Sequence, residues 1–281
     1  MNPHRTQKIA FSLLFLATFL VVALVGAIVV IIVQKGLPAM TWQFISDVPR
    51  EGMRAGGIFP AIIGTLLLVG GAIVFALPIG LLAAIYLSEY ARDGLLTRII
   101  KLAIVNLAGV PSVVYGLFGL ALFVVFFKFG VSIVSGSLTL GIMILPLIIT
   151  ASREALESVP RSFREVSLSL GASKWQTIQH IVLPNAIPGI LTGTILGLGR
   201  AAGETAPILF TVAAFYLPQL PRSIFDQVMA LPYHLYVIST QVPNVDEKIR
   251  YGTALVLLAL VLFMNLIAII IRYKFRMKKK W

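Results

Sequence analysis

The sequence predicts an all-α membrane protein that crosses the bilayer six times. Of its 281 residues, 58% are hydrophobic and only 12% are charged, whereas a soluble domain has roughly 25% charged residues. Six stretches with few or no charges are long enough to span a bilayer. They stay apolar over about 20 to 30 residues, which favours helices over barrel strands of about 10 alternating residues. Little of the chain is left for a separate soluble domain.

The six predicted spans follow one another along the chain. The first, residues 9–33, is too long for the apolar core of a secretory signal, which has about 7 to 15 residues. The others lie between residues 54 and 89 and at 102–127, 129–152, 186–216 and 252–271. Lys128 alone separates the third span from the fourth, so we expect a tight hairpin there. Two charges interrupt the fifth span.

The basic residues predict the orientation of the chain in the membrane. Both tails, the second-to-third connection and the fourth-to-fifth connection together hold 15 of the 23 Lys and Arg residues, and the alternate connections hold 7. The positive-inside rule therefore places both termini in the cytoplasm. The net charge of +12 is explained by this topology and by anionic lipid headgroups, so no nucleic-acid partner is expected.

Composition also excludes several kinds of chemistry. With no cysteine, a disulfide scaffold, a thiolate zinc site and a catalytic thiol are all excluded. His4, His180 and His234 are far apart in the sequence and predict no metal site. The chain contains no G-x-x-x-x-G-K-[ST] phosphate-binding loop, so any ATP hydrolysis is expected on another polypeptide.

Two predicted outside connections, residues 34–57 and 217–251, are rich in glycine and proline and should be irregular. The second also predicts an amphipathic helix over residues 224–238. This helix is either a lid or docking surface for an outside partner or a plain interfacial helix.

The connection 153–184 predicts two short helices that meet at a glycine. Phe163, Val166 and Leu170 form an apolar stripe before Gly171. A second stripe follows it, and Ser173 with Gln176 has the S-x-x-Q pattern of a capping box. On this evidence alone, the stripes could lie on the membrane surface or under the helical bundle.

This connection resembles the EAA loop of ABC-importer permeases. The match consists of Glu165, Val166 and Ser167, then Gly171, then the I-x-L-P run at 181–184. Val-Ser stands where the family usually has Ala-Ala. The resemblance implies a type I ABC importer permease fold in which this loop contacts a separate ATPase subunit that holds ATP and Mg. The implied coupling residues are Glu165, Val166, Ser167, Gly171, Ala172 and Ser173.

The fifth span contains two charges four residues apart, Arg200 and Glu204. Each costs about 2.5 to 3.5 kcal/mol at a bilayer centre, so both should face protein or a water-filled cavity. They either form a structural ion pair or take part in transport. Pro207 lacks the amide that would bond to Gly203, which predicts a kink or hinge between these two residues.

Glycines at three successive helical turns in the same span, residues 189, 193 and 197, predict close packing against a neighbouring helix. In the third span, Asn106, Ser112 and Tyr115 flank Pro111 and either line the path or only pack.

Four segments resemble phosphate-specific ABC transporter permeases, the A type (PstA) more than the C type (PstC). They are R-A-A-G-E-T-A-P at 200–207, G-G-I-F-P-A-I-I-G-T at 56–65, A-G-V-P-S-V-V-Y-G-L-F-G at 108–119 and M-A-L-P-Y-H-L-Y at 229–236. The resemblance implies that Arg200, Glu204 and Thr205 belong to the phosphate path. It also implies a bacterial inner-membrane complex with a PstC-type permease, two PstB-type ATPases and an outside PstS-type phosphate-binding protein.

The chain is therefore predicted to be a non-enzymatic permease of a phosphate importer. Residues 1–57 form the N-terminal tail, first span and outside loop, 58–271 the type-1 permease core, and 272–281 a basic cytoplasmic tail. A permease for another oxyanion, such as sulfate, molybdate or phosphonate, is one alternative. A membrane scaffold that signals phosphate supply, with transport secondary, is the other.

Overall fold

The computed structural model describes residues 3–277, and the described chain is mostly helical. The helices are α1 (Pro3–Gly36), α2 (Trp42–Ser46), α3 (Phe59–Ile85), α4 (Leu95–Ala108), α5 (Ser112–Gly119), α6 (Ile133–Glu157), α7 (Arg161–Ser169), α8 (Lys174–Thr177), α9 (Leu183–Gly203), α10 (Ala206–Thr211), α11 (Leu231–Thr240) and α12 (Glu247–Met277). Three π-helical segments, Tyr86–Tyr90, Leu120–Phe126 and Ile178–Val182, continue α3, α5 and α8. The predicted basic tail lies partly outside the described residues.

Five helical segments in residues 3–277 are long and apolar enough to cross a membrane, and a sixth is obtained if one bent pair counts as a single span. They are Phe11–Ala39, Phe59–Tyr90, Ile133–Glu157, Lys174–Gly203 and Glu247–Phe275, with the pair Leu95–Ala108 and Ser112–Phe126 as the sixth. The predicted all-α fold with up to six spans is confirmed.

The third span departs from the continuous helix that was predicted over residues 102–127. α4 and α5 are separate helices that meet at 102°. Pro111 precedes α5, and its ring cannot donate the amide bond that would continue α4. The hydroxyl of Tyr115 donates to the carbonyl oxygen of Leu107 at 2.7 Å, which satisfies one of the carbonyls at the end of α4. The break therefore has its own local hydrogen bonding.

α6 lies at the centre of the bundle. In its most apolar 18-residue stretch, 67% of the residues are buried, whereas none are buried in the corresponding stretches of the first and last spans. α3 and α9 pack closely against α6 through small residues: a Cβ added at Gly80 would meet Ile148, and one added at Gly193 would meet Ala151. The predicted close packing of the fifth span is thus observed, and α1 and α12 lie at the periphery.

The predicted hairpin between the third and fourth spans is tight. Lys128 and Gly130 both have positive φ, 58° and 68°. Ser132 then caps α6 through a hydrogen bond from the amide of Ser135 to its side chain, at 3.2 Å. The connection from the end of the π-helical segment to α6 therefore needs only residues 127–132.

The helix predicted over residues 224–238 is wrong in its first half, because α11 begins only at Leu231. The carboxylate of Asp226 accepts hydrogen bonds from the amides of Arg222 and Ser223 at 2.8 and 2.9 Å. These bonds form a turn that competes with helix. The same amide bonds lower the pKa of Asp226.

Candidate translocation site and coupling segment

The fifth span breaks where Pro207 predicted it. α9 ends at Gly203, Glu204 has an extended backbone (φ −78°, ψ 134°), and α10 begins at Ala206. Pro207 occupies the first turn of α10, where a missing amide costs nothing. The break is an observed feature, and its movement as a hinge stays a prediction.

The break lies within the bundle of spanning helices. Gly197 of α9 packs against Ile144 and Ile148 of α6. At 1.5 Å per residue, Ile144 is about 16 Å from the start of α6. Gly199 faces Asn265, which is within the long apolar helix α12. Arg200, one residue further along α9, therefore lies alongside α6 and α12 and not beyond their ends.

Arg200 and Glu204 form a loose ion pair across this break. The Nε of Arg200 is 3.6 Å from Oε1 of Glu204, and the two side chains are 33% and 19% exposed. This separation is too long for a hydrogen bond. Within residues 3–277, no hydrogen bond engages the terminal nitrogens of the guanidinium. The N–H donors at the edge of the Arg200 guanidinium are consequently open to an anion.

Glu204 faces the interior more than Arg200 does. It borders a cavity of about 10 Å³ together with Thr65 and Leu68 of α3 and Ala202 of α9. A cavity of this size holds at most about one water molecule. Glu204 thus lies next to the packed wall of α3.

The hydroxyl of Thr205, the third predicted path residue, makes no hydrogen bond in the described part of the chain. Thr205 precedes α10, and its carbonyl oxygen accepts a bond from the amide of Leu209 at 3.1 Å. It is partly buried. The three predicted path residues therefore adjoin one another at a single break.

The two broken spans meet at this level. A Cβ added to Gly116 of α5 would lie 3.0 Å from the carbonyl oxygen of Ala206 and 3.0 Å from Cα of Pro207. Tyr115, the residue before it, is only 4% exposed. α5, the second half of the third span, thus packs directly against the start of α10, just after the break of the fifth span. The predicted role of Tyr115 in the path stays untested.

The connection 153–184, which we call the coupling segment, has the predicted glycine corner and a short helix before it. The predicted second short helix is wrong in its extent, because α8 continues through the π-helical segment Ile178–Val182 into α9 as one helical segment, Lys174–Gly203. Gly171 has φ +86°. The amide of Gly171 bonds to the carbonyl of Leu168, and the amide of Ala172 bonds to that of Ser167, which is a Schellman ending for α7. Ser173 and Gln176 form the predicted capping box that starts α8.

The two apolar stripes divide into an inner and an outer set. Ile178 and Val182 are buried, at 1% and 0% exposure, and fix the segment to the bundle. Val166, Leu170 and Trp175 are 60%, 83% and 51% exposed. Glu165 and Ser173 are also exposed. The predicted coupling residues therefore lie together around one exposed corner with apolar groups on its surface.

Sequence reasoning missed the contacts that attach this segment to the second span. Arg164 donates two hydrogen bonds to the carboxylate of Glu89, at 2.7 and 3.2 Å. The ammonium of Lys174 lies over the ring of Tyr90, 4.8 Å from its centre. The first pair is 75 residues apart, so no local sequence pattern links its members.

The described residues contain no group of three or more His, Asp or Glu side chains that could hold a metal ion. The site therefore consists of one open arginine fork at a helix break, with a separate exposed corner at the end of the bundle. The arginine fork can bind an anion, and the exposed corner can contact a partner protein whose movement displaces it. It offers no pair of groups placed for acid–base or nucleophilic chemistry.

This combination defines a membrane permease subunit, and the sequence comparisons identify its family. Residues 76–279 match the family described as "Binding-protein-dependent transport system inner membrane component", and the chain belongs to that family. Its members are non-catalytic membrane subunits of ABC importers, which associate with separate ATPase subunits and a substrate-binding protein.

Relatives over the full length are more specific. The chain is 36% identical over 280 residues to "Phosphate transport system permease protein PstA 1" of Mycobacterium tuberculosis, covering 97% of this chain and 91% of that protein. It is 32% identical over 277 residues to "Probable ABC transporter permease protein YqgI" of Bacillus subtilis, covering 94% of each chain.

A solved structure supports the fold. The crystal structure of a bacterial ABC transporter involved in the import of the acidic polysaccharide alginate contains a chain that superposes with a TM-score of 0.61 at 17% identity. The match covers 94% of this chain and 96% of that chain. The type I importer permease fold implied by the EAA-like loop is confirmed.

Proposed function

We propose that this chain is the A-type permease of a bacterial phosphate importer and that it carries phosphate past Arg200. The observation that carries this proposal is the open guanidinium of Arg200 beside the break that ends α9, among the spanning helices. An arginine fork stays charged at any accessible pH and offers paired N–H donors to the oxygens of an oxyanion. The full-length similarity to PstA 1 supports phosphate as that oxyanion.

The coupling segment is the proposed contact for a PstB-type ATPase. Two such chains would hold ATP and Mg, and nucleotide-driven closure would push on the corner between α7 and α8. A PstC-type permease would supply the other half of the path. The inner membrane is the location in which these partners would meet, with both termini of this chain on the ATPase side.

Phosphate reaches the site from an outside PstS-type binding protein in this scheme. An arginine alone does not distinguish phosphate from sulfate, since both present tetrahedral oxygens to the same fork. The binding protein therefore performs most of the selection. Glu204, 3.6 Å from the arginine, limits how tightly an anion is held, because its negative charge competes for the same guanidinium.

The test is uptake of radiolabelled phosphate into vesicles that contain the four-component complex. We expect Arg200→Gln to lower ATP-driven uptake by at least about tenfold, because a cationic fork that can donate paired N–H bonds to the anion is replaced by a neutral amide. Arg272→Gln is the matched control. Arg272 also projects from a spanning helix and bonds to Thr192 at 3.1 Å, and its loss should leave most of the uptake.

Several results would overturn the proposal. Normal uptake by Arg200→Gln would remove this residue from the path. Uptake of sulfate or molybdate in preference to phosphate, with matching binding proteins supplied, would assign another oxyanion. Intact assembly with no ATP-driven uptake of any oxyanion by the wild-type complex would favour a signalling scaffold.

A further inference from the structure

The end of the second span is the point at which both halves of the coupling segment contact the bundle through polar groups. Arg164 of α7 binds Glu89, and Lys174 of α8 lies over Tyr90. Both targets are in the π-helical segment Tyr86–Tyr90 that continues α3. π-helical segments inside helices are rare and occur frequently at functional sites.

The Arg164–Glu89 pair is fully engaged and largely removed from solvent. The side chains of Arg164 and Glu89 are 18% and 7% exposed. Besides its two bonds to Glu89, the guanidinium donates to the carbonyl oxygens of Val159 at 2.6 Å and Leu156 at 2.9 Å. One side chain therefore joins α7, the end of α6 and the end of α3.

A buried pair of this kind is a poor source of net stability but a strong geometric constraint. Desolvation of two charges offsets much of their attraction, whereas removing one partner leaves the other buried and uncompensated. The bidentate geometry fixes the guanidinium plane relative to the carboxylate. A displacement of α7 is thus transmitted to α3 through Glu89.

α3 connects this contact to the anion site. It is continuous from the π-helical segment to Thr65, which lines the small cavity beside Glu204. The 24 residues from Glu89 to Thr65 span about 36 Å at 1.5 Å per residue. One continuous helical segment therefore carries both Thr65, beside the anion site, and Glu89, which binds Arg164 of α7.

We propose that Glu89 is a positioning residue that transmits movement of the coupling segment to α3, and through α3 to the wall beside Glu204. This inference rests on the proposed coupling to an ATPase. An open cavity of about 440 Å³ separates Glu89 from Glu165 on the same face. A partner seated against Glu165 would therefore be next to the pair without covering it.

The test measures phosphate taken up per ATP hydrolysed by the complex in vesicles. We expect Glu89→Gln to lower this ratio about tenfold, within the range of measured coupling effects, while hydrolysis and assembly persist. The exchange of Glu89→Arg with Arg164→Glu should restore part of the ratio. Glu247→Gln is the control, because it breaks an exposed pair with Lys35, 3.2 Å apart, that lies outside the coupling segment, and it should change nothing.

Tyr90→Leu provides a second route to the same answer. It removes the cation–π contact with Lys174 from a partly exposed side chain. It should also lower the ratio of phosphate to ATP, but by less than Glu89→Gln does.

A wild-type ratio in Glu89→Gln overturns the inference. So does a proportional loss of uptake and hydrolysis, which would mark a purely structural role. Absence of uptake by the wild-type complex would instead contradict the proposed function.

Discussion

Gly171 is the residue whose backbone sets the angle between α7 and α8. Its φ of +86° is a conformation that L-residues with a Cβ avoid. No heavy atom lies within 4 Å of a Cβ added there. The requirement for glycine is therefore conformational and not steric, so substitutions at this position report on the corner itself.

We predict that uptake declines in the order Gly171, Asn, Ala, Pro at this position. Among these substitutes, Asn tolerates the left-handed region best, and Ala in this region costs about 1–2 kcal/mol. Pro is fixed near φ −65° and cannot adopt the positive φ that the corner requires. Vesicle uptake of phosphate measures the effect, with membrane yield as the control for insertion. If the Pro variant transports normally, the corner has no part in coupling.

His234, in the predicted outside connection, gives a prediction about pH. It is 2% exposed, its Nδ1 has no partner in the described residues, and burial lowers its pKa from 6.5 to about 4. The folded state therefore binds fewer protons than the unfolded state between these values. Above pH 6.5, burial of the neutral His234 ring does not lower the free energy of unfolding. On acidification this free energy falls, by about 3 kcal/mol at pH 4.

Thermal unfolding in detergent checks this sign. The difference in melting temperature between pH 7 and pH 4.5 should shrink in His234→Gln, because no buried imidazole then needs to be protonated. His180→Gln is the matched control. The His180 ring is exposed and its Nδ1 is 3.0 Å from the carbonyl oxygen of Gln176. An equal acid shift in wild type and His234→Gln would show that His234 does not contribute.

At the scale of elements, the contact between α9 and α6 depends on the absence of side chains. A Cβ on Gly193 would collide with Ala151, and one on Gly189 would collide with Ala155. In a membrane, close van der Waals packing is a principal source of helix association. The registry of α9, and with it the position of Arg200, therefore follows from these two small-residue contacts.

We predict that Gly193→Ala destabilises the protein by about 1–2 kcal/mol, because overpacking outweighs the gain in helix propensity. Gly70→Ala is the control, since Gly70 has no atom within 4 Å of an added Cβ. Melting temperature in detergent measures both. Combining Gly193→Ala with Ala151→Gly should recover most of the loss. Equal effects of Gly193→Ala and Gly70→Ala would contradict the packing account.

Features with a local sequence signal were predictable, and contacts between distant segments were not. Spans were predictable because each is a long apolar run, and the break after Gly203 because Pro207 removes a specific amide. Pro111 offered the same signal, yet the break between α4 and α5 was missed because the sequence stays apolar across it. The Glu89–Arg164 pair could not be predicted, since its members meet only when α3 and α7 are packed on α6.

At the scale of the whole molecule, the anion site and the coupling segment are far apart and share no residues. Arg200 lies alongside α6 and α12, whereas the exposed corner around Gly171 lies beyond the ends of α3 and α6. α3, α6 and α9 run between them, and both α3 and α9 pack closely on α6 at glycine positions. A force applied at the corner can therefore reach the anion site only by movement of these helices. Transport then depends on attachment of the ATPase at the corner.

Leu170 tests that attachment. It is 83% exposed at the corner, and burying a leucine contributes about 1.5–3 kcal/mol. Leu170→Glu both removes this contribution and leaves a charge to be desolvated, so we predict at least a tenfold loss of copurified ATPase. Leu220→Glu, at a 46% exposed position in the predicted outside connection, should retain the ATPase. Quantitative copurification after mild detergent extraction measures both variants. Full retention by Leu170→Glu, with Leu220→Glu also unchanged, would move the ATPase contact away from this corner.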